Sequence, residues 1–505
     1  METEEKLRRL YSMRSRMERL IHCIHIIDYD METSCPVKGM DDDSKDSIML
    51  QNQLFQLEKS KEYTDLIKDL HDNDMDRLGE YDRKLVHDLY KDYKRNEHVD
   101  EALNEEVNTL FSKAYLVWLD AKEKSDYGLF SETLEKIYEM QKRLLLTRDD
   151  CDKDNLYNTV FSDYEEGFTT DDLDRFFDEL EKGIVPLIQK VKESGYQPRC
   201  DFLSRRVPLG KQSEFTTFLL KHNGFDLTRG SISTTEHPFT SQIGQNDVRV
   251  TTKYFENNFI SNMYSIIHEG GHAIFGQNVP DAMYRHHVSD DCLTMAKHES
   301  VSRFYENVIG RSREYISSIY PEFHRLFKEE LGDVSIDDFY EGVNRIDFDN
   351  RLRTEADELT YSIHILIRYR LERKIMKGEA DFRTLNLEWN RLYREYLGLD
   401  IRNDKEGILQ DVHWSSGFGY FPTYALGNAL NCIYVKKMKK ELDFEKTLSE
   451  GRMDIILNWM KENVFFKAPL LNTKDWIRDI TGEEFSAKPY IEYLTDKFTE
   501  IYHLK

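Results

Sequence analysis

The chain has 505 residues, of which 70 are lysine or arginine and 94 are aspartate or glutamate, so its formal net charge is −24. It contains no basic stripe that would neutralise phosphate groups, which argues against nucleic acid as a partner. No run of 18 apolar residues occurs, and the charged start at residues 1–5 lacks the apolar segment of a secretory signal. We therefore expect a soluble, cytoplasmic protein with no membrane partner.

The cysteines agree with that location. Six of them are scattered along the chain without any CxxC spacing, which is typical of free thiols in a reducing compartment rather than of a disulfide framework. They are Cys23, Cys35, Cys151, Cys200, Cys292 and Cys432. None of them stands in a pattern that indicates a metal ligand or a nucleophile.

Residues 1–185 are predicted to be helical. Pro36 is the only proline before Pro186, so few positions in this stretch force a break. Apolar residues recur at steps of three and four along the first segment, and residues 125–146 form another such segment. We expect these helices to build a wall or lid of one large, mainly α body that spans residues 1–505.

Residues 224–256 have a different character, with frequent Gly, Ser and Thr. Two short β-rich pieces, 231–235 and 248–252, alternate like strands around a turn near 244–247, which predicts a small antiparallel sheet. Its edge strand could bind an extended peptide through main-chain hydrogen bonds. A purely structural hairpin is equally compatible with the sequence.

Residues 263–275 contain the motif His268-Glu269-Gly270-Gly271-His272. Residues four apart lie on one face of a helix, so the two histidines are able to direct their rings at one point, with Glu269 beside them. This pattern favours a zinc-protease site, which needs a third protein ligand from elsewhere. The alternative is two histidines that merely share a helical face.

The same segment contains helix signals and two residues that oppose a helix. Ser261 or Asn262 is a plausible N-cap, and Gly276 stands where the helix could end. Gly270 and Gly271 should each cost a helix interior about 1 kcal/mol relative to alanine. We expect them where another backbone or a substrate, such as a bound peptide strand, comes close to the helix.

A carboxylate for the third ligand position follows the motif. Residues 292–309 are predicted to form a helix that ends at Gly310, and Glu299 lies on it 27 positions after His272. That distance leaves room for a turn that brings the carboxylate back to the metal. Glu306 shares the face of Glu299 and is predicted to orient a ligand histidine. Solvated glutamates are the alternative.

Two later segments contain further candidates. A helix is predicted over residues 350–376, where Arg353 and Asp357 would form an ion pair with four-residue spacing unless the arginine has another use. Residues 407–428 form a glycine-rich loop that contains His413, Tyr420 and Tyr424. Such a polar and aromatic loop suits a pocket lining better than a core. The remainder, to residue 505, is predicted to be helical, and residues 257–430 form the candidate catalytic core.

Together these residues resemble the carboxypeptidase Taq family of metallocarboxypeptidases. The likeness covers essentially the whole chain, and six motifs in order make it specific. They are HPF at 237–239, DVRVT at 247–251, HEGGH at 268–272, HES at 298–300, RTEAD at 353–357 and GILQDVHW at 407–414.

The resemblance implies a role for each matching residue. His268, His272 and Glu299 would hold the metal, Glu269 would be the catalytic carboxylate, and Arg353 would receive the substrate's terminal carboxylate. Related helical zinc peptidases imply that His413 and Tyr420 stabilise the tetrahedral intermediate and that Tyr424 contacts substrate. The HPF and DVRVT motifs add His237 and Arg249 as substrate contacts.

The sequence therefore predicts a metal-dependent carboxypeptidase that removes C-terminal residues from peptides. The resemblance also implies a helical, deep-grooved fold and a homodimer. One divalent metal per chain is expected, with zinc first and cobalt or manganese as substitutes that two histidines and a glutamate accept. Two alternatives stay open: an endo- or oligopeptidase with the same chemistry, and a helical scaffold with a silent metal site.

Overall fold

The computed structural model describes residues 2–504. This part of the chain forms twenty-one α-helices and one three-stranded sheet, so the predicted mainly α class is confirmed. Within residues 2–504, no helix combines the length and the apolar composition that a bilayer span requires. Buried apolar side chains from Leu10 to Tyr502 form one continuous cluster.

Eight helices precede residue 200. They are α1 (Thr3–Thr33), α2 (Met40–Glu58), α3 (Lys61–Asp74), α4 (Glu80–Asn96), α5 (Glu101–Lys124), α6 (Gly128–Leu146), α7 (Leu156–Tyr164) and α8 (Thr170–Ser194). The prediction for residues 125–146 was three residues too long at its start. Ser125 adopts a left-handed conformation with φ of 54° and ends α5, so the chain turns before α6 begins.

The sheet contains β1 (Ile232–Thr234), β2 (Thr240–Gly244) and β3 (Asp247–Thr252) in the order β1-β3-β2. The hairpin turn near residues 244–247 is confirmed, but the sheet is mixed rather than antiparallel, because β1 pairs parallel to β3. Strand β2 was missed, since it has a single large apolar residue, Ile243. The expected edge strand, β3, is the central strand and has partners on both sides.

The middle of the chain contains α9 (Leu209–Asn223), α10 (Phe259–Asn278), α11 (Asp281–Arg285) and α12 (Met295–Arg303), which continues as a π-helical turn (Phe304–Ile309). Two details of the prediction for α10 were wrong. Its N-cap is Asn258, which accepts a hydrogen bond from the Ser261 amide. The helix passes Gly276 and ends at Asn278, just before Pro280.

The remaining helices close the body. They are α13 (Arg313–Leu331), α14 (Ile336–Val343), α15 (Glu358–Met376), α16 (Leu385–Leu397), α17 (Pro422–Glu441), α18 (Phe444–Ser449), α19 (Met453–Met460), α20 (Thr473–Thr481) and α21 (Lys488–Ile501). The predicted helix over 350–376 begins late, because Asp357 accepts from the Thr360 amide and caps α15. Arg353 instead lies in a short 3-10 turn (Arg353–Glu355), so its predicted pair with Asp357 is absent.

Two glycines allow α12 to pack tightly between α10 and α17. A Cβ added at Gly271 would lie 2.7 Å from the Ser302 Cα, and one at Gly427 would lie 2.5 Å from the Glu299 Cβ. At Gly270 an added Cβ would lie 2.7 Å from the Leu220 side chain of α9. Close approach of another backbone is therefore confirmed at Gly271, whereas the expectation of a bound peptide strand was wrong, since neighbouring helices occupy the space.

Candidate metal centre

The three predicted ligands converge on one point. The Nε2 atoms of His268 and His272, one turn apart on α10, are 3.2 Å from each other. Glu299 approaches from α12, and its Oε1 lies 3.9 Å from His268 Nε2 and 4.0 Å from His272 Nε2. The packing of Gly271 against α12 makes this approach possible.

The donor set fits a divalent metal such as zinc. Two nitrogen ligands at about 2.1 Å from a tetrahedral ion are roughly 3.4 Å apart, which is close to the observed separation of the histidine nitrogens. The ligand atoms of all three residues lie within 4.8 Å of one another. Three protein ligands, two nitrogen and one carboxylate, leave a position for water or substrate, as catalytic rather than structural sites do.

The far side of His268 is held by a carboxylate. Its Nδ1 donates to Glu306 Oε2 at 2.8 Å, which leaves the Nε2 lone pair facing the cluster. The predicted contact between Glu306 and a histidine of the motif is therefore confirmed. Charges of Arg303 and the hydrogen bond from His268 keep the pKa of Glu306 low, although burial alone would raise it.

Arg303 forms hydrogen bonds with both Glu299, on α12, and Glu306, on the π-helical turn that follows it. Its Nε donates to Glu299 Oε2 at 3.2 Å, and its Nη1 donates to Glu306 Oε2 at 2.9 Å. The oxygen of Glu299 that faces the histidines, Oε1, is thus left for the metal. Arg303 keeps both carboxylates turned toward their partners.

The second histidine is neutral. Burial lowers the pKa of His272 well below its usual value. Its Nδ1 lies 3.3 Å from Nδ1 of His298, whose pKa burial lowers to about 4. Neutral imidazole is the form that coordinates a metal.

Glu269 is the half-buried carboxylate beside this cluster. The hydroxyl of Thr240, the first residue of β2, donates to Glu269 Oε2 at 2.7 Å. Burial raises the pKa of Glu269 above its usual value. The sheet therefore orients the carboxylate through Thr240, and a carboxylate with a raised pKa has the properties of a general base.

Arg353 lies in a second buried cluster and is 7% exposed. Its Nε and Nη2 donate to Asp411 Oδ1, at 3.0 and 2.9 Å, and its Nη1 donates to the Tyr361 hydroxyl at 3.1 Å. One N–H on each of Nη1 and Nη2 has no acceptor within residues 2–504. These two groups are able to bind a carboxylate.

Three side chains predicted on the late loop lie together, although the loop prediction was wrong from Pro422 onward, because Tyr424 belongs to α17. The ring of His413 lies 5.4 Å from that of Tyr420 and 6.0 Å from that of Tyr424. His413 Nε2 is 3.3 Å from the Tyr424 hydroxyl, and its buried Nδ1 has no partner in the described chain. Burial lowers the pKa of His413 to about 4 and raises that of Tyr420 to about 12, so both are neutral donors near pH 7.

A chain of contacts connects the Arg353 cluster with the metal cluster. The hydroxyl of Tyr361 accepts from Arg353, and the ring of Tyr361 lies under the Arg303 guanidinium at 4.3 Å. Arg303 in turn donates to Glu299. Two separate parts of the sequence thus meet in one site, with a cation for carboxylate at one end and metal ligands at the other.

Comparison with known proteins identifies this arrangement. The family model for the carboxypeptidase Taq (M32) metallopeptidases matches residues 9–498. The chain belongs to the M32 family. It is accordingly a metal-dependent carboxypeptidase, and the family supports this activity over the endopeptidase and scaffold alternatives.

Relatives of this M32 chain agree along its whole length. Carboxypeptidase 1 of Bacillus subtilis is 35% identical and is matched over 100% of both chains. The M32 carboxypeptidase structure from Deinococcus radiodurans is 27% identical, with a TM-score of 0.94 and coverage of 99% and 100%. Metallocarboxypeptidase 1 of Trypanosoma cruzi is 27% identical, with a TM-score of 0.92 and coverage of 98% and 99%.

Two predicted substrate residues of the M32 chain have other surroundings in the structure. Arg249, on β3, donates from Nε and Nη2 to Asp247 and lies over the ring of Tyr29 at 4.9 Å. His237 is exposed, in the segment between β1 and β2. Neither of them forms a hydrogen bond with the metal ligands within residues 2–504.

Sequence reasoning about the M32 chain missed Arg303 and Asp411. Arg303 follows Glu299 by four residues and precedes Glu306 by three, so helical spacing alone would have indicated the contact. Asp411 stands in the GILQDVHW motif, but nothing in that motif shows that its partner is Arg353, 58 residues earlier.

Proposed function

We propose that His268, His272 and Glu299 hold one divalent metal, zinc in the native enzyme, with cobalt or manganese able to replace it. The enzyme then hydrolyses the last peptide bond of a peptide with a free C-terminus. One observation carries this proposal: the three ligands and the free N–H groups of Arg353 belong to one contact chain through Tyr361 and Arg303. A metal bound there supplies a Lewis acid that lowers the pKa of water and polarises the scissile carbonyl.

Glu269 acts as the general base in this proposal. Its carboxylate, oriented by Thr240, takes a proton from the attacking water and gives it to the leaving amine. Glu269 lies on the same helix as His268 and His272, and this position supports a role beside the reacting carbonyl.

Arg353 makes the enzyme an exopeptidase. A carboxylate that accepts from the free N–H groups on Nη1 and Nη2 fixes the substrate's end at a constant distance from the metal ligands. Only the last peptide bond then reaches the reacting position. The contact with Asp411 keeps the guanidinium in one orientation before the substrate arrives.

His413 and Tyr420 donate hydrogen bonds to the oxyanion, where one such donor is worth about 3 kcal/mol. When Nε2 of His413 accepts from Tyr424, its Nδ1 carries the hydrogen and is the donor that lacks a partner in the protein. Tyr424 also flanks the Arg353 guanidinium at 5.1 Å, which supports its role in substrate binding. His237 and Arg249 contact parts of the peptide further from the scissile bond.

The wider proposal is a homodimer of single peptidase domains in the cytoplasm. The continuous hydrophobic core supports one domain over residues 1–505, with 1–185 as wall, 224–256 as sheet and 257–430 as catalytic core. Six cysteines without disulfide bonds support a reducing compartment. Sedimentation equilibrium measures the assembly, and a monomer mass would overturn the dimer.

Metal reconstitution tests the assignment of the centre. We expect chelator-treated protein to lose activity and to recover it with one equivalent of zinc, cobalt or manganese. Glu299→Gln should bind zinc at least tenfold more weakly, because the ligand loses its charge. Exposed Glu329→Gln is the matched control and should bind one zinc normally. Unchanged zinc affinity in Glu299→Gln would refute the assignment.

A further inference from the structure

Arg368, on α15, lies behind Arg353 and is fully buried, with 0% exposure. Each of its three guanidinium nitrogens donates to the protein. Nε donates to Asp411 Oδ2 at 2.7 Å, Nη1 to the His364 carbonyl at 2.6 Å, and Nη2 to Gln410 Oε1 at 2.8 Å. The guanidinium also lies over Trp389 at 4.6 Å. Arg368 therefore has no nitrogen left for a substrate.

Asp411 lies between the two arginines and gives one oxygen to each. Among the described residues 2–504, Oδ1 accepts only from Arg353, and Oδ2 accepts from Arg368. Gln410 repeats the arrangement, because its Oε1 accepts from Arg368 Nη2 and from the Arg353 main-chain amide, both at 2.8 Å. The side chain and the backbone of Arg353 are thus both oriented by residues that Arg368 holds.

The charges of this cluster do not balance. Two guanidinium groups surround one carboxylate, and the side chains of Arg353 and Asp411 are 9% and 8% exposed. The flanking His364 adds no charge, because burial lowers its pKa well below the usual value. The two arginines and Asp411 together carry one more positive than negative charge, in a buried place where charges are normally paired. An incoming carboxylate would pair it.

We infer that Arg368 is a positioning residue for recognition of the substrate's terminal carboxylate. It occupies the second oxygen of Asp411, so that Asp411 orients Arg353 while a net positive charge is left for the substrate. The inference rests on the proposed role of Arg353 and adds a second arginine that never touches the substrate. Without Arg368, Asp411 would turn freely and would neutralise Arg353.

The test compares equilibrium binding of two probes by calorimetry to zinc-loaded protein. The first probe is the amino acid that wild-type enzyme releases fastest from a mixed peptide library, and the second is the amide of that amino acid. Acetohydroxamic acid, which binds the metal without a terminal carboxylate, is the reference ligand. The variants are Arg368→Gln and Arg368→Lys, with Arg370→Gln as the matched control. Arg370 lies on the same helix and pairs with Asp178 at the surface.

We expect Arg368→Gln to weaken binding of the free amino acid by about tenfold or more, as loss of a charged hydrogen-bonded partner does. Affinity for the amide and for acetohydroxamic acid should change less than twofold. The KM for free-acid peptides should rise more than kcat falls. Arg368→Lys should recover part of the affinity, and Arg370→Gln should behave as wild type.

Other outcomes separate the inference from the proposed function. If Arg368→Gln weakens binding of both probes and of the reference ligand equally, or weakens none of them, the positioning role is overturned while the Arg353 assignment stands. Wild-type enzyme that binds amino acid and amide equally would overturn the Arg353 assignment and the inference with it. If Arg368→Gln fails to fold, Arg368→Lys decides, with at least threefold selective weakening expected and an unselective change overturning the inference.

Discussion

Arg353 donates two hydrogen bonds to a single oxygen of Asp411, from Nε at 3.0 Å and from Nη2 at 2.9 Å. This contact uses one side of the guanidinium and leaves the other side for a ligand. A preorganised guanidinium loses little conformational entropy when it binds a carboxylate, which favours tight recognition of a C-terminus. The geometry of this pair therefore connects the fold with exopeptidase activity.

Replacement of Arg353 should act on substrate recognition. We expect Arg353→Ala to lower kcat/KM by about 100-fold or more, because the substrate carboxylate loses its guanidinium and the buried Asp411 loses one of its two partners. Arg353→Lys keeps the positive charge but lacks the planar guanidinium that binds a carboxylate through two N–H groups. We expect an intermediate loss of kcat/KM. Steady-state kinetics on one free-acid peptide measure both. A kcat/KM equal to that of wild type in Arg353→Lys would show that the two-point contact of the guanidinium is unimportant.

Replacement of Glu269 should separate metal binding from catalysis. Glu269→Gln retains the shape of the side chain and the contact with Thr240. Its neutral amide is not able to take a proton from water, so we expect kcat to fall by roughly 10²–10⁴-fold. Metal content, measured by mass spectrometry of the protein digest, should stay at one per chain. A metal-loaded Glu269→Gln enzyme with wild-type turnover would contradict the assignment.

The metal cluster could be predicted from the sequence because its central pair is local. His268 and His272 are one helical turn apart, so their convergence follows from the helix itself. Glu299 comes from a different helix, and the resemblance to the M32 family indicated its role. Its actual position depends on the packing of α12 against Gly271 and Gly427, which no local pattern predicts.

Arg368 could not be predicted, and α15 explains why. This helix is buried on nearly all sides, so it has no polar face on which a functional residue would stand out. The mixed sheet was missed for a similar reason. β1 and β3 pair in parallel although β2 lies between them in the sequence. The alternation of apolar and polar residues along one strand does not show which other strand pairs with it.

The two packing glycines should be sensitive to a single methyl group. Gly271→Ala and Gly427→Ala would each force α12 away from its neighbour, and such overpacking costs about 1–3 kcal/mol of unfolding free energy. Zinc affinity should fall as well, because Glu299 moves with α12. Urea unfolding and zinc titration measure the two effects.

Gly210→Ala is the matched control for that experiment. Gly210 is also helical, on α9, but an added Cβ there would contact nothing within 4 Å. Alanine favours a helix by up to about 1 kcal/mol relative to glycine, so this variant should be at least as stable as wild type. Equal destabilisation by all three substitutions would refute the packing argument.

Glu372, one turn after Arg368 on α15, should make stability depend on pH. Burial raises its pKa to about 7, although Trp414, Tyr157 and the Gly419 amide all donate to it. Between about pH 5 and pH 7 the folded chain keeps the proton and the unfolded chain does not. As the pH rises through this range, the contribution of Glu372 to the free energy of unfolding should therefore fall by about 1.4 kcal/mol per pH unit.

Glu372→Gln resembles the protonated acid and should lack this dependence. From about pH 5 to pH 8 we expect wild type to lose roughly 3 kcal/mol of stability relative to the variant. Urea unfolding followed by tryptophan fluorescence at several pH values measures the difference. Parallel stability curves for the two proteins would show that Glu372 is already ionised at pH 5.

The most direct test of the account is a mass-spectrometric time course on a peptide and on its C-terminal amide, with zinc-loaded enzyme. The account predicts stepwise loss of single residues from the free acid, little reaction with the amide, and no cleavage after chelation. Arg353→Ala should reduce the difference between the two peptides. Internal cleavage, or equal rates on acid and amide by the wild type, would contradict the proposed use of Arg353 and the metal centre together.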